Sequence, residues 1–340
     1  MTPRGPPPTC GIYQGDALDV LKTLEDRSIQ CCVTSPPYWG LRDYGNENQI
    51  GLEKTPQEYI QKLVNIFHEV RRVLKKDGTC WIVIGDSYAG SGCGSNDYRE
   101  PGSSMSKSDK KYQGQKPGSP HGYKPKDLIG IPWMLAFALR DDGWYLRQEI
   151  IWSKQNPMPE SVKDRCTKSH ENIFLLSKSK KYYFDNVAIQ ETAVNAPGRG
   201  GFGSSTGKMN TNKLAHTNKV GKAWDKKYAG GGTSFKGHRG CFKKDGTPIC
   251  GIMRNKRSVW TVPTQPFKAA HFAVFPEKLI TPMILAGCPE GGIVLDPFFG
   301  AGTIGVVCKK LNRNYIGIEL NLSYIKMAEK RLFEVPVRML

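Results

Sequence analysis

"GIVLDPFFGAGTIGVVCKKLNRNYIGIEL" (residues 292–320) reads as strand, turn, helix and strand. An apolar run ends at Asp296, glycines stand at 300 and 302, a helical stretch follows, and a second apolar run ends on Glu319. Short continuous apolar runs joined by a helix are the pattern of parallel strands buried on both faces. Glycines at the mouth of such a sheet let backbone approach a ligand closely, with helix N–H groups directed at it. Glu319 stands nineteen residues after Gly300, where an acid is placed to accept both hydroxyls of a ribose. The expected ligand is a nucleoside cofactor without a pyrophosphate.

The same alternation extends outward, which argues for a parallel sheet covered by helices. "GIYQGD" (11–16) reads as strand, "ALDVLKTLED" (17–26) as amphipathic helix and "IQCCVTSPPY" (29–38) as strand. Next comes a well-marked helix. Thr55 caps it, Pro56 suits its first turn, Glu58 completes a capping box, and the apolar stripe of 59–76 runs until Asp77-Gly78 stops it. "TCWIVIGDSY" (79–88), "YLRQEIIWSK" (145–154) and "ENIFLLSKS" (171–179) read as strands. "DLIGIPWMLAFALRDD" (127–142), "PEKLITPMILAG" (276–287) and "SYIKMAEKRL" (323–332) read as helices. The expected class is α/β, a doubly wound, mainly parallel sheet.

Two regions break the alternation. Residues 90–126 are rich in Gly, Ser, Lys and Pro and read as a surface loop, either a clamp on a partner or an inert linker. Residues 191–257 carry 14 Lys or Arg against 3 acids, about +11 of the chain's net charge of +18. Such an imbalance costs self-repulsion in the folded state and points to a polyanionic partner, nucleic acid ahead of a membrane surface. Arg254, Lys256 and Arg257 cluster where this segment closes.

"MTPRGPPPTC" has no apolar core, and the longest apolar run, residues 129–139, is too short to span a bilayer. The expectation is a cytoplasmic, reduced protein with no membrane association. Its 10 cysteines include no CxxC pair, and His238, Cys241 and Cys250 fit no usual zinc spacing, so no metal is expected. Cys31 and Cys32, adjacent in a strand, point to opposite faces and read as core.

"DPFFGAGT" (296–303) and "TSPPYW" (34–39) together resemble the amino-group DNA methyltransferases that use S-adenosyl-L-methionine. The catalytic motif precedes the cofactor motif, as in the β arrangement of that family. "YQGDALDVL" (13–21), "IGDSYAG" (84–90), "GWYLRQEIIWSK" (143–154), "TKSHENIFLLSKS" (167–179) and "AHFAVFPEKLI" (270–280) agree in order. Ser-Pro-Pro-Tyr is the version similar to enzymes that methylate the N4 amine of cytosine; enzymes acting on adenine N6 more often carry Asp or Asn at the position of Ser35.

The resemblance implies a Rossmann-like methyltransferase core. Residues 1–190 are its catalytic half, 191–257 a target-recognition segment and 258–340 its cofactor-binding half. It implies catalysis by Ser35, Pro36, Pro37 and Tyr38 on a base flipped from duplex DNA. Ser35 Oγ and the Pro36 carbonyl would accept the amine hydrogens, Tyr38 would stack on the base, and Trp39 would either stack or pack under the turn. Cofactor contacts would come from Asp16, Asp296, Phe298, Gly300, Gly302, Thr303, Glu319, Phe275 and Pro276. His271 is a contact or a structural residue, and Asp86 a second polar group or a loop cap. A cognate restriction endonuclease is a possible partner, and monomer and homodimer both fit. Adenine N6 methylation, methylation of a protein or RNA amine, and a non-catalytic DNA-binding module are the alternatives.

Overall fold

A computed structural model of the chain describes residues 11–40, 49–89, 123–192, 253–265 and 275–336. β1 (Gly11–Gln14) leads into α1 (Ala17–Thr23) and β2 (Ile29–Thr34). α2 (Pro56–Val73) and β3 (Leu74–Ile84) follow, then α3 (Ile131–Asp141), β4 (Tyr145–Ser153) and β5 (His170–Ser177). Three short strands come next, β6 (Glu191–Thr192), β7 (Met253–Arg254) and β8 (Val259–Thr261). The chain closes with α4 (Glu277–Gly287), β9 (Ile293–Asp296), α5 (Thr303–Lys310), β10 (Asn314–Glu319) and α6 (Leu322–Phe333).

By its internal contacts the chain divides into two units, residues 1–189 with 257–340, and residues 190–256. In the first unit the strands form one sheet in the order β1-β10-β9-β2-β3-β5-β4-β8. Each neighbouring pair is parallel except the two that involve β5. The carboxyl ends of β1, β10, β9, β2, β3, β4 and β8 therefore share one edge with the amino end of β5. Chain order turns back between β9 and β2: β9 leads outward to β10, and β2 leads the other way to β3. A crevice at such a switch point is where doubly wound sheets bind ligands. The N-terminal β1 lies beside β10, so the two sequence halves interleave in one sheet.

Period-two alternation sends Cys32, Cys80, Ile82 and Ile84 to the face covered by α1, α2 and α3. Cys31, Val33, Trp81 and Val83 face α4, α5 and α6. Thr55 Oγ1 accepts the Glu58 N–H at 3.2 Å, and Tyr59, Leu63, Phe67 and Val70 form the buried stripe of α2. That helix stops earlier than its stripe suggests. Leu74 turns to extended backbone (φ −67°, ψ 142°) and pairs with Ile29, so Asp77 and Gly78 lie inside β3 rather than ending α2. Burial of Leu74 against the sheet outweighs the helical periodicity of the preceding residues.

In the second unit β6 and β7 pair antiparallel, Glu191 opposite Arg254. Most of the loop 90–126 and of the basic segment 191–257 lies outside the described residues. Among the described residues no helix is long and apolar enough to cross a membrane.

Candidate active site

β2 is buried along its whole length and delivers Ser35-Pro36-Pro37-Tyr38 to the carboxyl edge of the sheet. Pro36 is buried, Ser35 and Pro37 half-buried, and the Tyr59 hydroxyl donates to the Pro37 carbonyl at 2.8 Å. A proline pair lacks N–H donors, so the turn is fixed through this carbonyl and by the rings' own stiffness. Trp39 is buried and its Nε1 donates to the Glu53 carbonyl at 2.9 Å. This burial in the hydrophobic core fits the packing role of the two expected for it.

Tyr38 packs against Gly85, where an added Cβ would come within 2.7 Å of the ring. Its hydroxyl donates to Glu171 Oε2 at 2.6 Å. Burial, then the charge of Glu171, pushes the phenol well above the ordinary tyrosine value, while Ser35 hydrogen bonding pulls the other way. Glu171 Oε1 in turn accepts the Lys154 ammonium. Lys168 donates to the Asp86 carbonyl at 3.0 Å, and burial lowers its pKa against the attraction of Asp86 and Glu171. Asp86 itself takes the loop-cap role: Oδ1 accepts the N–H groups of Gly130 and Ile131, both at 3.0 Å, at the start of α3. Gly130 has no side chain to do so.

On the next strand, Asp296 is almost fully buried and accepts the Thr34 hydroxyl at 2.6 Å and the Phe298 N–H at 3.1 Å. Desolvation raises its carboxyl to about 7, Thr34 and Phe298 opposing the shift and nearby Glu319 adding to it. Glu319 spans the loop, taking the Gly300 N–H at 2.7 Å on one oxygen and the Asn321 N–H at 2.8 Å on the other. Each oxygen keeps a second lone pair for a ligand hydroxyl. Burial raises the Glu319 pKa as well.

Gly302 caps α5 at φ +75°, and a Cβ there would meet Ala328 Cβ at 2.7 Å. Gly300, at φ +49°, has open space instead, with only the Phe298 carbonyl at 4.0 Å. Residues 300–305 do carry the G-x-G-x-x-G spacing, so glycine spacing by itself does not separate a nucleoside from a dinucleotide. The third glycine, Gly305, serves packing, since its Cβ would meet Phe299 at 2.8 Å.

Thr303 is buried and its hydroxyl accepts from Arg331 at 3.0 Å. Asp16 caps α1 through the Leu18 and Asp19 N–H groups, one residue from Gly15, whose N–H reaches the Glu319 carbonyl at 3.1 Å. Pro276 caps α4, and Phe275 packs half-buried beside it. His271 lies outside the described residues. A buried acid, an open glycine cradle, the Phe298 ring and an acid at the neighbouring strand end fit a cationic nucleoside cofactor.

In the second unit Arg254 Nε donates to Glu191 Oε1 at 3.0 Å. Lys256 is half-buried there, while Arg257, in the first unit, is exposed. Burial lifts the thiols of Cys31 and Cys32 well above the ordinary value and Cys288 to about 12, so none is poised as a nucleophile. Sequence reasoning missed Thr34, Lys154 and Glu171. Their signal was their position at strand ends, legible only once the sheet order is known.

A family model described as DNA methylase, for N6/N4 methyltransferases, matches residues 29–330. Type II methyltransferase M.Cfr9I of Citrobacter freundii is 46% identical over 321 residues, covering 94% of this chain and 87% of that protein. M.SmaI of Serratia marcescens is 45% identical over 326 residues, covering 95% and 91%. Among solved structures, a DNA modification methylase of Thermus thermophilus complexed with S-adenosyl-L-methionine aligns with TM-score 0.55 at 19% identity, covering 96% of this chain and 95% of that one. PvuII DNA methyltransferase (cytosine-N4-specific) aligns with TM-score 0.55 at 18% identity, covering 97% and 88%. These two share the fold. The family model spans both the Ser-Pro-Pro-Tyr turn and the Asp296 loop, and the chain belongs to the N6/N4 DNA methylase family, as a DNA methyltransferase that uses S-adenosyl-L-methionine.

Proposed function

We propose that the chain methylates the N4 amine of a cytosine flipped out of duplex DNA at a specific site. The observation that carries this reading is the Ser35-Pro36-Pro37-Tyr38 turn, which starts one residue after Thr34, the hydrogen-bond partner of Asp296. An exocyclic base amine is a poor nucleophile because its lone pair is delocalised into the ring. Ser35 Oγ and the Pro36 carbonyl accept its two hydrogens, favour a tetrahedral nitrogen and aim the lone pair. Orientation of this kind is a large part of a barrier reduction. Tyr38 stacks on the base and offsets part of an unstacking cost of about a few kcal/mol.

When bound, S-adenosyl-L-methionine supplies an electrophilic methyl group on a sulfonium. Asp296, Phe298, Gly300, Gly302 and Thr303 hold its methionyl part, Phe275 and Pro276 cover that end, Glu319 takes the ribose hydroxyls, and Asp16 lies toward the adenine. Residues 1–190 and 258–340 form the core, and 191–257 reads the DNA target, with Arg254, Lys256 and Arg257 toward phosphates. Likeness to Type II methyltransferases supports a cognate restriction endonuclease as the biological partner.

Purified protein, S-adenosyl-L-methionine and unmethylated genomic DNA, followed by nucleoside mass spectrometry, test the reading. N4-methylcytosine that disappears in Ser35→Ala is the expected result. N6-methyladenine would overturn the choice of base and keep the family chemistry.

A further inference from the structure

Stacking a base needs only an aromatic face, which phenylalanine supplies as well as tyrosine. The hydroxyl of Tyr38 is nevertheless built into a chain of charged groups drawn from three strands. It donates to Glu171 Oε2 at 2.6 Å, a bond that runs from the turn after β2 to the amino end of β5. Glu171 is largely buried, and its other oxygen is held by Lys154, just past the end of β4. Lys154 is fixed in turn, its ammonium 4.7 Å from the centre of the Trp152 ring.

The opposite constraint comes from the end of β3. Gly85 lies against the phenol ring so closely that a Cβ would stand 2.7 Å from its Cε2. Close backbone at Gly85 limits where the ring can lie, and Glu171 fixes the position of its hydroxyl. A carboxylate buried to this degree is costly unless paired and hydrogen-bonded, and here both oxygens are engaged. β5 is the antiparallel strand of the sheet, so its first residues, rather than its last, reach the site.

We propose that Glu171, braced by Lys154, is the positioning residue that holds Tyr38 in the orientation required to receive the flipped base. It acts through Tyr38 and touches neither substrate nor cofactor. The inference rests on the reading of Tyr38 as the base-stacking residue.

The test is a double-mutant cycle on the full chain with S-adenosyl-L-methionine and unmethylated DNA. Tyr38→Phe and Glu171→Ala should each lower kcat by about 10- to 100-fold, in the range seen for misplacement near reacting groups. The affinity for S-adenosyl-L-methionine, measured by calorimetry on the same preparations, should stay within about twofold of the parent and reports the integrity of the fold. The double variant should be no slower than the slower single one, and Glu171→Gln, whose amide oxygen still accepts the phenol proton, should recover most of the rate. Additive losses, or a Glu171→Ala enzyme at full rate, would overturn the proposal. Tyr38→Ala separates the two levels. If it is inactive while Tyr38→Phe and Glu171→Ala are fully active, the positioning role falls and the stacking role stands. A fully active Tyr38→Ala would remove both.

Discussion

Thr34 and Asp296, 262 positions apart in the chain, share a 2.6 Å hydrogen bond between the ends of β2 and β9. Those strands are neighbours at the point where the sheet order turns back, with Cys31 opposite Val294 and Cys32 opposite Leu295. The bond ties the residue preceding Ser35-Pro36-Pro37-Tyr38 to the first residue of the Gly-rich loop. Thr34 is fully buried, so the acceptor has no water to fall back on.

Replacing Thr34 by valine keeps the shape and removes the donor. The Thr34 bond lowers the Asp296 pKa, so its loss should raise that pKa further. Stability should fall by about 1–3 kcal/mol, the cost of leaving a buried acceptor short of a donor. Urea unfolding of Thr34→Val against the parent measures it, and an unchanged midpoint would show that the bond contributes nothing net.

The pH dependence of stability carries a recognisable signature of Asp296. Its carboxyl rises from 3.8 to about 7 in the folded chain, so between those values the folded state keeps a proton that the unfolded state has lost. Stability from this group is therefore full below about pH 4, falls as pH rises toward 7 and is flat above. The drop is on the order of 4 kcal/mol, from about three pKa units at 1.36 kcal/mol each. Asp296→Asn should lack this slope, and parallel slopes for the two proteins in urea titrations from pH 5 to 8 would contradict the shift.

A cationic cofactor against the same carboxyl favours its charged form. Binding of S-adenosyl-L-methionine near pH 6 should then release a proton, and binding near pH 8.5 should release none. Calorimetry in buffers of different ionisation heats counts the protons. A zero count at both values would place Asp296 away from the cofactor's charge.

Gly302→Ala combines a left-handed backbone, φ +75°, with a Cβ 2.7 Å from that of Ala328. The left-handed conformation costs roughly 1–2 kcal/mol and overpacking roughly 1–3 more. The expected loss is about 2–5 kcal/mol in urea unfolding. Gly300→Ala, with open space around its Cβ, should cost less, and equal losses would refute the packing argument.

Arg257, exposed, and Arg254, half-buried beside Glu191, should behave differently toward DNA. Arg257→Ala should weaken DNA binding and reduce the slope of log affinity against log salt by about one. Arg254 already holds Glu191 across the β6–β7 pair, so Arg254→Ala should lower the stability of that unit as well. Filter binding at several salt concentrations decides it, an unchanged slope for Arg257→Ala arguing against a phosphate contact.

Local pattern was enough for the strand-turn-helix-strand stretch around Asp296 and Gly302, the cap at Thr55 and the opposed faces of Cys31 and Cys32. Each depends on neighbours within a few positions, through period two, period 3.6 or a left-handed glycine. Tertiary structure alone decided that Leu74 leaves α2 for the sheet, that Trp39 is buried in the core, that Asp86 caps α3, and that Glu171 and Thr34 hydrogen-bond Tyr38 and Asp296. Those outcomes turn on strand order and on the reversed direction of β5, which bring together groups 133 and 262 positions apart. Periodicity states which face a residue shows, but not which distant strand lies beside it, because that choice is made by the packing of the whole sheet.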